Sequence, residues 1–437
     1  MGAVPAGGEG RGAIEEAVVI ELLNREHPQY RARREMWRRY HDFYVGGEQL
    51  RRNAGAYLIR RQKEPREVYE ERLGRVFYEN YLGSIIDWYA ATLFRNEPQI
   101  AFRGMEGFYA EFLRDADLEG RSLLEFSRRA FIQALVFQQS YALIDFPRAA
   151  GRAATRAEED ALGQSRAYLV NCAPTDLINW RPDRWGNFEW VVLRNESTYQ
   201  PDVFSTEEVV ERRWTYYDKQ SYRVFTQTET SPRRDSQAPA PVLEDEGRHG
   251  LAGLGRVPLV KLEVSDGLWL ANKAGLLQQE HFNKANALSW ALHMGLFAMP
   301  VVYSDREWHQ IVGEAYYIQL GPEDKFGWTE PEGHVYRLAA ENLDRLKDEV
   351  YRVCYLMTQA AGRETRNLAQ SAASKQRDQM VTQEVLRGYG DMVKSYLRRV
   401  LELVAAARKD AVTVEITGLD QHLEVFETVI DAVKSFA

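Results

Sequence analysis

The sequence predicts an α+β fold in which helices predominate, and three observations support that prediction. Residues 30–141 contain runs in which apolar residues recur every three or four positions, the spacing of one face of an α-helix. Residues 168–228 are rich in β-branched and aromatic residues with turn signals between the runs, which is typical of β-strands. Between residues 271 and 409 three long helical patterns follow, so helical sequence lies on both sides of the β-rich block.

The composition and charge limit the class of protein. Of the 437 residues, 45% are hydrophobic and 27% are charged, which excludes wholesale disorder. The length allows roughly two to four domains, or one large elongated domain. The net charge is −8, whereas proteins that bind the outside of duplex DNA by neutralising phosphates are usually basic. Any contact with nucleic acid must therefore be local or loose.

The cysteines and the apolar stretches give expectations about the compartment. Cys172 and Cys354 lie far apart, which excludes a disulfide scaffold and a zinc site built on paired Cys-x-x-Cys motifs. Residues 1–12 are rich in Gly, Ala and Pro without an apolar core, so we expect a loose tail and no export signal. The longest apolar stretch, residues 288–302, is too short to span a bilayer. We therefore expect a soluble protein made in a reducing cytoplasm, with no membrane contact.

The first half of the chain carries short helices and then strands. The Gly46-Gly47 pair ends the second predicted helix. Residues 148–166 are rich in Ala, Arg and Glu and are expected to form a surface excursion, and residues 230–255 are expected to form an exposed, mobile loop. The predicted helices are 14–23, 30–44, 67–94, 108–113 and 123–141, and the predicted strands are 142–146, 168–170, 188–196, 209–217 and 220–228.

The second half is dominated by the three long helical patterns. Residues 271–297 carry few charged side chains, so a helix here needs cover on most sides. Residues 339–359 have an apolar stripe with heptad spacing, which an ordinary amphipathic helix would also show. Residues 373–409 form the longest pattern. The stripe consists of Leu343, Leu346, Val350, Val353 and Met357, and shorter elements are expected at 257–262 and 412–416 as strands and at 423–436 as a last helix.

No sequence motif points to catalysis or to a bound cofactor. The chain has no G-x-x-x-x-G-K-[ST] nucleotide loop, no H-E-x-x-H metal motif and no G-x-S-x-G nucleophile elbow. The GLAGLG run at residues 250–255 precedes a predicted strand, whereas a dinucleotide-binding loop follows one. The histidines are scattered, and acidic pairs such as Glu70-Glu71 are typical of solvated faces. The sequence thus predicts a non-enzymatic protein without catalytic residues, metal or cofactor.

Four stretches of sequence together resemble one known family. They are HPQYRARREMWRRYHDFYVGGEQL (27–50), YENYLGSIIDWYAATLFRNEPQI (78–100), YLVNCAPTDLINWRPDRWGNFEWVVLRNES (168–197) and GLGRVPLVKLEVSDGLWLANKAGLLQQEHFNKANALSWAL (253–292). In their order and spacing they resemble the portal proteins of tailed bacteriophages, over roughly residues 25–437. The sequence departs from that family in ending at Ala437, soon after the long helical pattern, where many relatives continue.

The resemblance implies a portal-type fold with a wing, a stem, a clip and a small crown, assembled as a ring. After a flexible tail at 1–24, residues 25–270 would form the wing, with a helical part at 25–147 and a β-rich part at 166–262 that contains the mobile loop 230–255. The remaining parts would be the first stem helix at 271–303, the clip at 304–338, the second stem helix at 339–359, the tunnel loop at 360–372, the long wing helix at 373–409 and the start of the crown at 410–437.

The resemblance also implies candidate functional residues, beside which simpler interpretations stay open. The polar tunnel loop would touch DNA phosphates transiently without reading bases, although a plain helix–helix connection has the same pattern. Aromatic side chains in the clip would anchor a partner, or else pack within the clip and between subunits. The loop candidates are Arg363, Arg366, Asn367, Gln370 and Ser371, the clip candidates are Trp308, Tyr316, Tyr317 and Trp328, and the stripe on residues 339–359 would pack the stem.

The function that the resemblance implies is structural. The ring, a dodecamer by analogy, would sit at one capsid vertex of the virion and conduct double-stranded DNA during packaging and ejection. Its partners would be copies of itself, the large terminase subunit, the head–tail adaptor, and the major capsid and scaffolding proteins. Alternatives are another virion or head-completion protein without a channel, a metal-dependent nuclease with an uncommon site, and a DNA-binding regulator, which the net charge disfavours.

Overall fold

The structure, a computed structural model, contains both helices and sheets. It describes residues 21–95, 97–104, 106–147, 163, 165–231, 239–295, 299–303, 323, 325–329, 333–356 and 372–419. Helix accounts for 50% and strand for 24%, in agreement with the α+β prediction. The chain divides into two compact units built from separate stretches: unit 1 is Met1–His41, Ile86–Ala271 and Val381–Ala437, and unit 2 is Asp42–Ile85 and Asn272–Met380.

Helices lie at most of the positions that apolar periodicity predicts. The long helical patterns 271–297 and 373–409 are confirmed to within two residues at each end. The pattern 339–359 is also helical, but its helix begins six residues earlier and ends at Val353. The described helices are α1 (Pro28–Val45), α2 (Gly47–Asn53), α3 (Arg66–Gly74), α4 (Tyr81–Phe94), α5 (Glu106–Arg114), α6 (Leu123–Phe137), α7 (Leu270–Gly295), α8 (Gly333–Val353) and α9 (Ala372–Arg408).

Among the described residues the strands form four antiparallel sheets, with orders β4-β5-β6-β7-β8, β3-β2-β9, β1-β12 and β10-β11. Their bounds are β1 (Gln99–Arg103), β2 (Gln139–Asp145), β3 (Tyr168–Cys172), β4 (Leu177–Pro182), β5 (Phe188–Tyr199), β6 (Glu208–Asp218), β7 (Ser221–Ser231), β8 (Val242–Arg248), β9 (Leu259–Glu263), β10 (Met299–Tyr303), β11 (Lys325–Thr329) and β12 (Thr413–Thr417).

The core of unit 1 joins its five-stranded and three-stranded sheets. Val191 and Leu193 of β5 and Tyr217 of β6 pack in one buried cluster with Tyr141 of β2 and Cys172 of β3. Alternate residues of a strand point to the same face, so this set places one face of the five-stranded sheet against the core. Burial raises the pKa of the Cys172 thiol to about 12, which keeps it protonated and unreactive.

Helices α8 and α9 are each followed by a residue in the left-handed conformation. The main-chain N–H groups at these turns donate to the last free carbonyls of each helix. At the end of α9, Lys409 has φ 60°, its N–H donates to Ala406 O at 3.1 Å, and the Asp410 N–H donates to Ala405 O at 2.9 Å. At the end of α8, Tyr355 has φ 63° and the Leu356 N–H donates to Tyr351 O at 3.0 Å. This is the pairing of a Schellman motif, and it stops α8 before the predicted end at residue 359.

Three predicted elements are wrong in extent. The helix predicted at 67–94 is two helices, because Asn80 begins a new one by accepting a bond from the Gly83 N–H at 2.7 Å, in the manner of an N-cap. The helix predicted at 123–141 ends at Phe137, because Gln138 adopts φ 76° and the chain continues as β2. The predicted loop 230–255 contains β8, an exposed acidic edge strand that needs few apolar residues because it pairs through its backbone with β7.

Other predictions either missed an element or fall outside the described residues. Strands β1, β4, β10 and β11 were not expected. The predicted helix at 423–436, most of the one at 14–23, and residues 232–238 of the predicted loop lie outside the described residues.

Candidate functional site

Helices α7 and α8 of unit 2 run antiparallel, and three contacts set their register. The Tyr336 hydroxyl donates to Ala291 O at 3.3 Å, and Lys284 Nζ donates to Asn342 Oδ1 at 3.0 Å. At the other end Lys273 Nζ lies 4.8 Å from the ring centroid of Tyr355. The start of α8 therefore lies beside the end of α7, and the end of α8 beside its start. These are the segments for which the resemblance predicted the two stem helices.

The predicted stripe on α8 lies on its covered side. Leu346 and Val350 are buried, and Leu343 and Val353 are half-buried, while Met357 lies outside the described residues. Cys354, one residue past the end of α8, is also buried, and burial raises its thiol pKa to about 12. The stripe is thus covered within the chain itself, and its role between subunits stays a prediction.

The covered side of α7 is unusual because amide side chains occupy it. Gln278 is fully buried, accepts a bond from the Leu82 N–H at 3.1 Å and donates to Glu79 O at 3.0 Å. Asn283 accepts from the Ile59 N–H at 2.8 Å and donates to Tyr57 O at 3.0 Å. Each amide thus pairs with main-chain groups much as a neighbouring strand would. We call Gln278, Asn283 and Asn286 the amide clamps.

Asn286, the third amide clamp, pairs with both the main-chain N–H and the main-chain carbonyl of Phe77. Its Oδ1 accepts from the Phe77 N–H at 3.1 Å, and its Nδ2 donates to Phe77 O at 3.0 Å. Between the clamps, the ring of Phe282 packs 6.0 Å from Phe43 and 6.1 Å from Tyr78, measured between centroids. The clamps and this aromatic contact hold the non-helical segments 57–59 and 77–80 against α7. Part of the cover that a weakly charged α7 needs is therefore supplied within the chain.

A titratable group at the start of α4 is held by α7 and α8. The Tyr81 hydroxyl donates to Glu79 Oε2 at 2.5 Å, and the His281 ring meets the Tyr81 ring edge-on with centroids 5.1 Å apart. Burial and then the Glu79 carboxylate raise the pKa of Tyr81, and burial lowers the pKa of His281. Both side chains are consequently neutral at pH 7, and neither is activated for proton transfer. The arrangement links the start of α4 to α7 and offers no reactive group.

The end of the α7–α8 pair at which the Tyr336 hydroxyl donates to Ala291 O exposes apolar side chains. Val335 and Leu338 lie one turn apart on α8 and are 61% and 50% exposed, and Leu292 near the end of α7 is 40% exposed. Because Tyr336 contacts Ala291, these three side chains lie at the same end of the helix pair. We call them the stem patch. Leu276, nearer the start of α7, is also exposed. Clustered exposed apolar side chains of this kind mark sites of association.

Most of the predicted loop and clip residues lie outside the described residues. This applies to Arg363, Arg366, Asn367, Gln370 and Ser371 and to Trp308, Tyr316 and Tyr317. Trp328 lies in β11, opposite Pro300 of β10. Residues 333–338, which were expected in the clip, are the first residues of α8.

Metal-binding clusters and membrane-spanning helices are both absent from the part of the chain that the structure describes. Within the described ranges, no three His, Cys, Asp or Glu side chains come together in a group that could hold a metal ion. Among the same residues, no helix has the length and apolar character needed to cross a membrane.

The amide clamps and the stem patch were missed at the level of sequence. The available signal was the composition of residues 278–286, where three of the amides stand in a helix with few charges. Only the structure supplies the main-chain groups that they bind.

Comparison with known proteins gives distant structural likeness only. A scan against protein-family models finds no match. A search of curated proteins finds none. Among solved structures, a chain from the neck of an empty gene transfer agent particle, computed with C6 symmetry, has a TM-score of 0.44 at 10% identity, covering 82% of this chain and 85% of that one.

Two further solved structures show the same degree of likeness. A chain from the virion of a native gene transfer agent particle has a TM-score of 0.43 at 11% identity, covering 88% of this chain and 92% of its own. A chain from the neck of the native particle, computed with C12 symmetry, has a TM-score of 0.37 at 11% identity, covering 89% and 94%. These three structural neighbours are thus chains of gene transfer agent neck and virion assemblies.

Proposed function

We propose that the chain is the subunit of a phage-type portal, a ring at one capsid vertex that conducts double-stranded DNA during packaging and ejection. It is a structural, non-enzymatic protein that docks the terminase and then the head–tail adaptor. The observation that carries the proposal is the stem patch on the α7–α8 pair. The resemblance of the sequence to portal proteins implies that these two helices would lie at subunit contacts around a channel.

The stem patch supports self-association because its side chains have little cover from the described residues of their own chain. Burying a large apolar side chain contributes about 1.5–3 kcal/mol, so three of them make a meaningful contribution at each contact. Further along α8, Leu346 and Val350 are already buried. A ring requires a head-to-tail contact, in which a patch on one copy meets a different surface on the next. The number of copies, twelve by analogy, remains part of the proposal.

The charge of the chain fits a channel through which DNA slides. Strong pairing of basic side chains with phosphates would retard movement, since each contact releases counterions and adds affinity. A net charge of −8 with few basic loop residues keeps that barrier low. The motor that drives the DNA must lie on another chain, because no nucleotide-binding loop is present in this sequence.

The double variant Val335→Glu/Leu338→Glu is expected to reduce ring assembly at least tenfold while leaving the subunit folded. Both side chains are at least half exposed, so the monomer tolerates glutamate, whereas two carboxylates buried in a contact are strongly unfavourable. The measurement is negative-stain imaging together with the mass in solution by light scattering. The matched control is Val170→Glu, a 40% exposed position on β3 of unit 1.

The outcomes separate the proposal from its rivals. Rings of about a dozen copies, with a hole wide enough for duplex DNA, support the portal. A compact dimer without a hole, or assembly that is equally sensitive to Val170→Glu, contradicts it. Cleavage of DNA that depends on added divalent metal would favour a nuclease instead.

The double variant Arg363→Ala/Arg366→Ala is expected to lower the amount of DNA retained in filled particles several-fold. The proposed reason is the loss of transient phosphate contacts in the tunnel loop, which resist backward slippage. The measurement is nuclease-protected DNA per particle at two salt concentrations. Arg337→Ala, which removes an exposed arginine of α8, is the control. Unchanged packaging and retention in the loop variant would rule out this role for the two arginines.

A further inference from the structure

The hairpin that joins β5 to β6 ends in an apolar tip. Val203 and Phe204 are 91% and 95% exposed, the highest values among the large apolar residues of the described chain. The turn is fixed by side-chain bonds: the Phe204 N–H donates to Asp202 Oδ1 at 2.7 Å, and the Glu207 N–H donates to Ser205 Oγ at 3.1 Å. Such turns hold the backbone in one conformation, so the apolar pair is presented and not collapsed onto the sheet.

The same sheet carries an apolar pocket of about 540 Å³. Its walls are aromatic side chains from four strands, and its rim includes arginines. A void of about 150 Å³ already accommodates benzene, so this pocket has room for two apolar side chains. The residues that matter here are Trp180, Trp190, Tyr216 and Phe225 in the walls and Arg181 and Arg223 at the rim.

Charge around the tip is complementary to charge around the pocket. Asp202, Glu207 and Glu208 flank the tip, are exposed, and have no ion-pair partner among the described residues. At the pocket, Arg181 and Arg223 form only exposed pairs, with Glu189 at 2.9 Å and Glu246 at 3.5 Å. Exposed pairs contribute little and exchange readily, so these arginines are available to carboxylates of a partner.

The pocket's one wall carboxylate is already neutralised. Glu26 lines the pocket, and its carboxylate lies 2.9 Å from Arg34 and 3.7 Å from Arg194. The pocket therefore presents a basic rim around apolar walls. An acidic apolar tip fits that surface in both respects.

The tip cannot reach the pocket of its own chain. Val192 lines the pocket, and the hairpin tip begins after Tyr199, seven residues further along β5. At about 3.4 Å per residue this separation is about 24 Å, and the unbroken β5–β6 ladder keeps the hairpin extended. Since tip and pocket lie on one rigid sheet, a tip that enters the pocket belongs to another copy.

We infer that the β5–β6 tip of one copy inserts Val203 and Phe204 into the Trp180/Trp190/Tyr216/Phe225 pocket of the next copy. Tip and pocket are different surfaces, so the contact is head-to-tail and propagates from copy to copy. The inference deepens the proposed function and rests on it, because the ring supplies the neighbouring copy. An aromatic side chain seated in a pocket is the usual form of an interface anchor.

The test is cross-linking of the full chain carrying Val203→Cys and Arg181→Cys with a short bis-maleimide. The native cysteines do not interfere, since burial raises the pKa values of both to about 12. We expect a ladder of covalent oligomers on a denaturing gel, and no ladder from either single variant or from Val203→Cys/Val170→Cys. Adding Phe204→Asp should lower the ladder yield at least tenfold, whereas Phe204→Leu should retain most of it.

Imaging of the same samples separates this inference from the portal proposal. Rings without a ladder overturn the tip–pocket contact and leave the portal standing. A ladder without closed rings supports the contact and contradicts the portal. If residues 1–20 occupy the pocket instead, their deletion raises maleimide labelling of the Arg181→Cys variant and the ladder stays absent, which also overturns the inference.

Discussion

Replacing Arg72 by methionine is expected to lower the free energy of unfolding of unit 2 by about 3–5 kcal/mol. Arg72 Nη1 donates to both carboxylate oxygens of Glu64, at 2.7 and 2.8 Å, and the two side chains are 5% and 3% exposed. Removing the guanidinium leaves a buried carboxylate without its counter-charge. That outcome costs far more than the pair contributes, because the desolvation of Glu64 is no longer offset.

The effect of this substitution should depend on pH in a defined direction. Burial raises the pKa of Glu64, but the bonds from Arg72 and from the Arg61 N–H outweigh burial and hold the pKa below its usual value. The stability from this group is therefore present at neutral pH and lost as pH falls through the lowered pKa. In Arg72→Met the Arg61 N–H bond remains but the guanidinium is lost, so burial raises the pKa of Glu64 and acidification neutralises its unpaired carboxylate. The difference between the two proteins should shrink from pH 7 towards pH 4.

The control lies on the same helix. Arg66 of α3 also contacts a glutamate at 2.7 Å, Glu70, but the two side chains are 80% and 57% exposed. Arg66→Met should change the free energy of unfolding by less than about 0.5 kcal/mol. Urea unfolding at a fixed protein concentration, at several pH values, measures both variants. Equal effects of the two substitutions, or a gap that widens on acidification, would contradict the buried-pair argument.

Replacing Gln278 by leucine should cost about 2–4 kcal/mol and loosen the segment at residues 79–82. The substitution removes the amide that now pairs with the buried Leu82 N–H and with the partly buried Glu79 carbonyl. An unsatisfied buried group costs about 1–3 kcal/mol, and leucine is similar enough in size that packing changes little. Hydrogen exchange of the Leu82 amide is the direct measurement, since that proton loses its acceptor.

A nearby residue of the same helix provides the comparison for this prediction. Glu280 is exposed, and its carboxylate lies 3.0 Å from Lys284 Nζ, one turn further along α7. Glu280→Leu should therefore leave exchange at Leu82 unchanged and cost less than about 1 kcal/mol. If both variants accelerate exchange equally, α7 is being disturbed as a whole and the clamp interpretation fails.

Long periodic elements could be predicted from the sequence, and elements defined by distant partners could not. Helix α9 was placed to within one residue because its apolar spacing runs over many turns. The strand predicted at 412–416 matches β12. Its partner β1 was missed, because the five residues QIAFR are too short a run to give a clear strand pattern. Strand β4 was also missed; its pairing with β5 contains register shifts between Leu177 and Asn179 and between Arg181 and Pro182.

The burial of the α8 stripe could be predicted from the sequence, whereas the stem patch and the amide clamps could not. Helical spacing identifies Leu346 and Val350 as a covered stripe, because packing follows periodicity. It does not reveal which exposed apolar residues adjoin, since the stem patch joins Leu292 to Val335 through an antiparallel pairing of α7 and α8. The amide clamps are likewise invisible to pattern, because they bind main-chain groups whose position depends on the whole of unit 2.

The pairing of β1 with β12 has a consequence for synthesis. Gln99 pairs with Thr417, so the two partners are 417 − 99 = 318 residues apart in the chain. At about 5–20 residues per second, a ribosome needs roughly 15–60 s after making β1 before its partner exists. Throughout that interval β1 has an open edge, and unit 1 is incomplete. A chain that terminates before β12 therefore cannot complete unit 1.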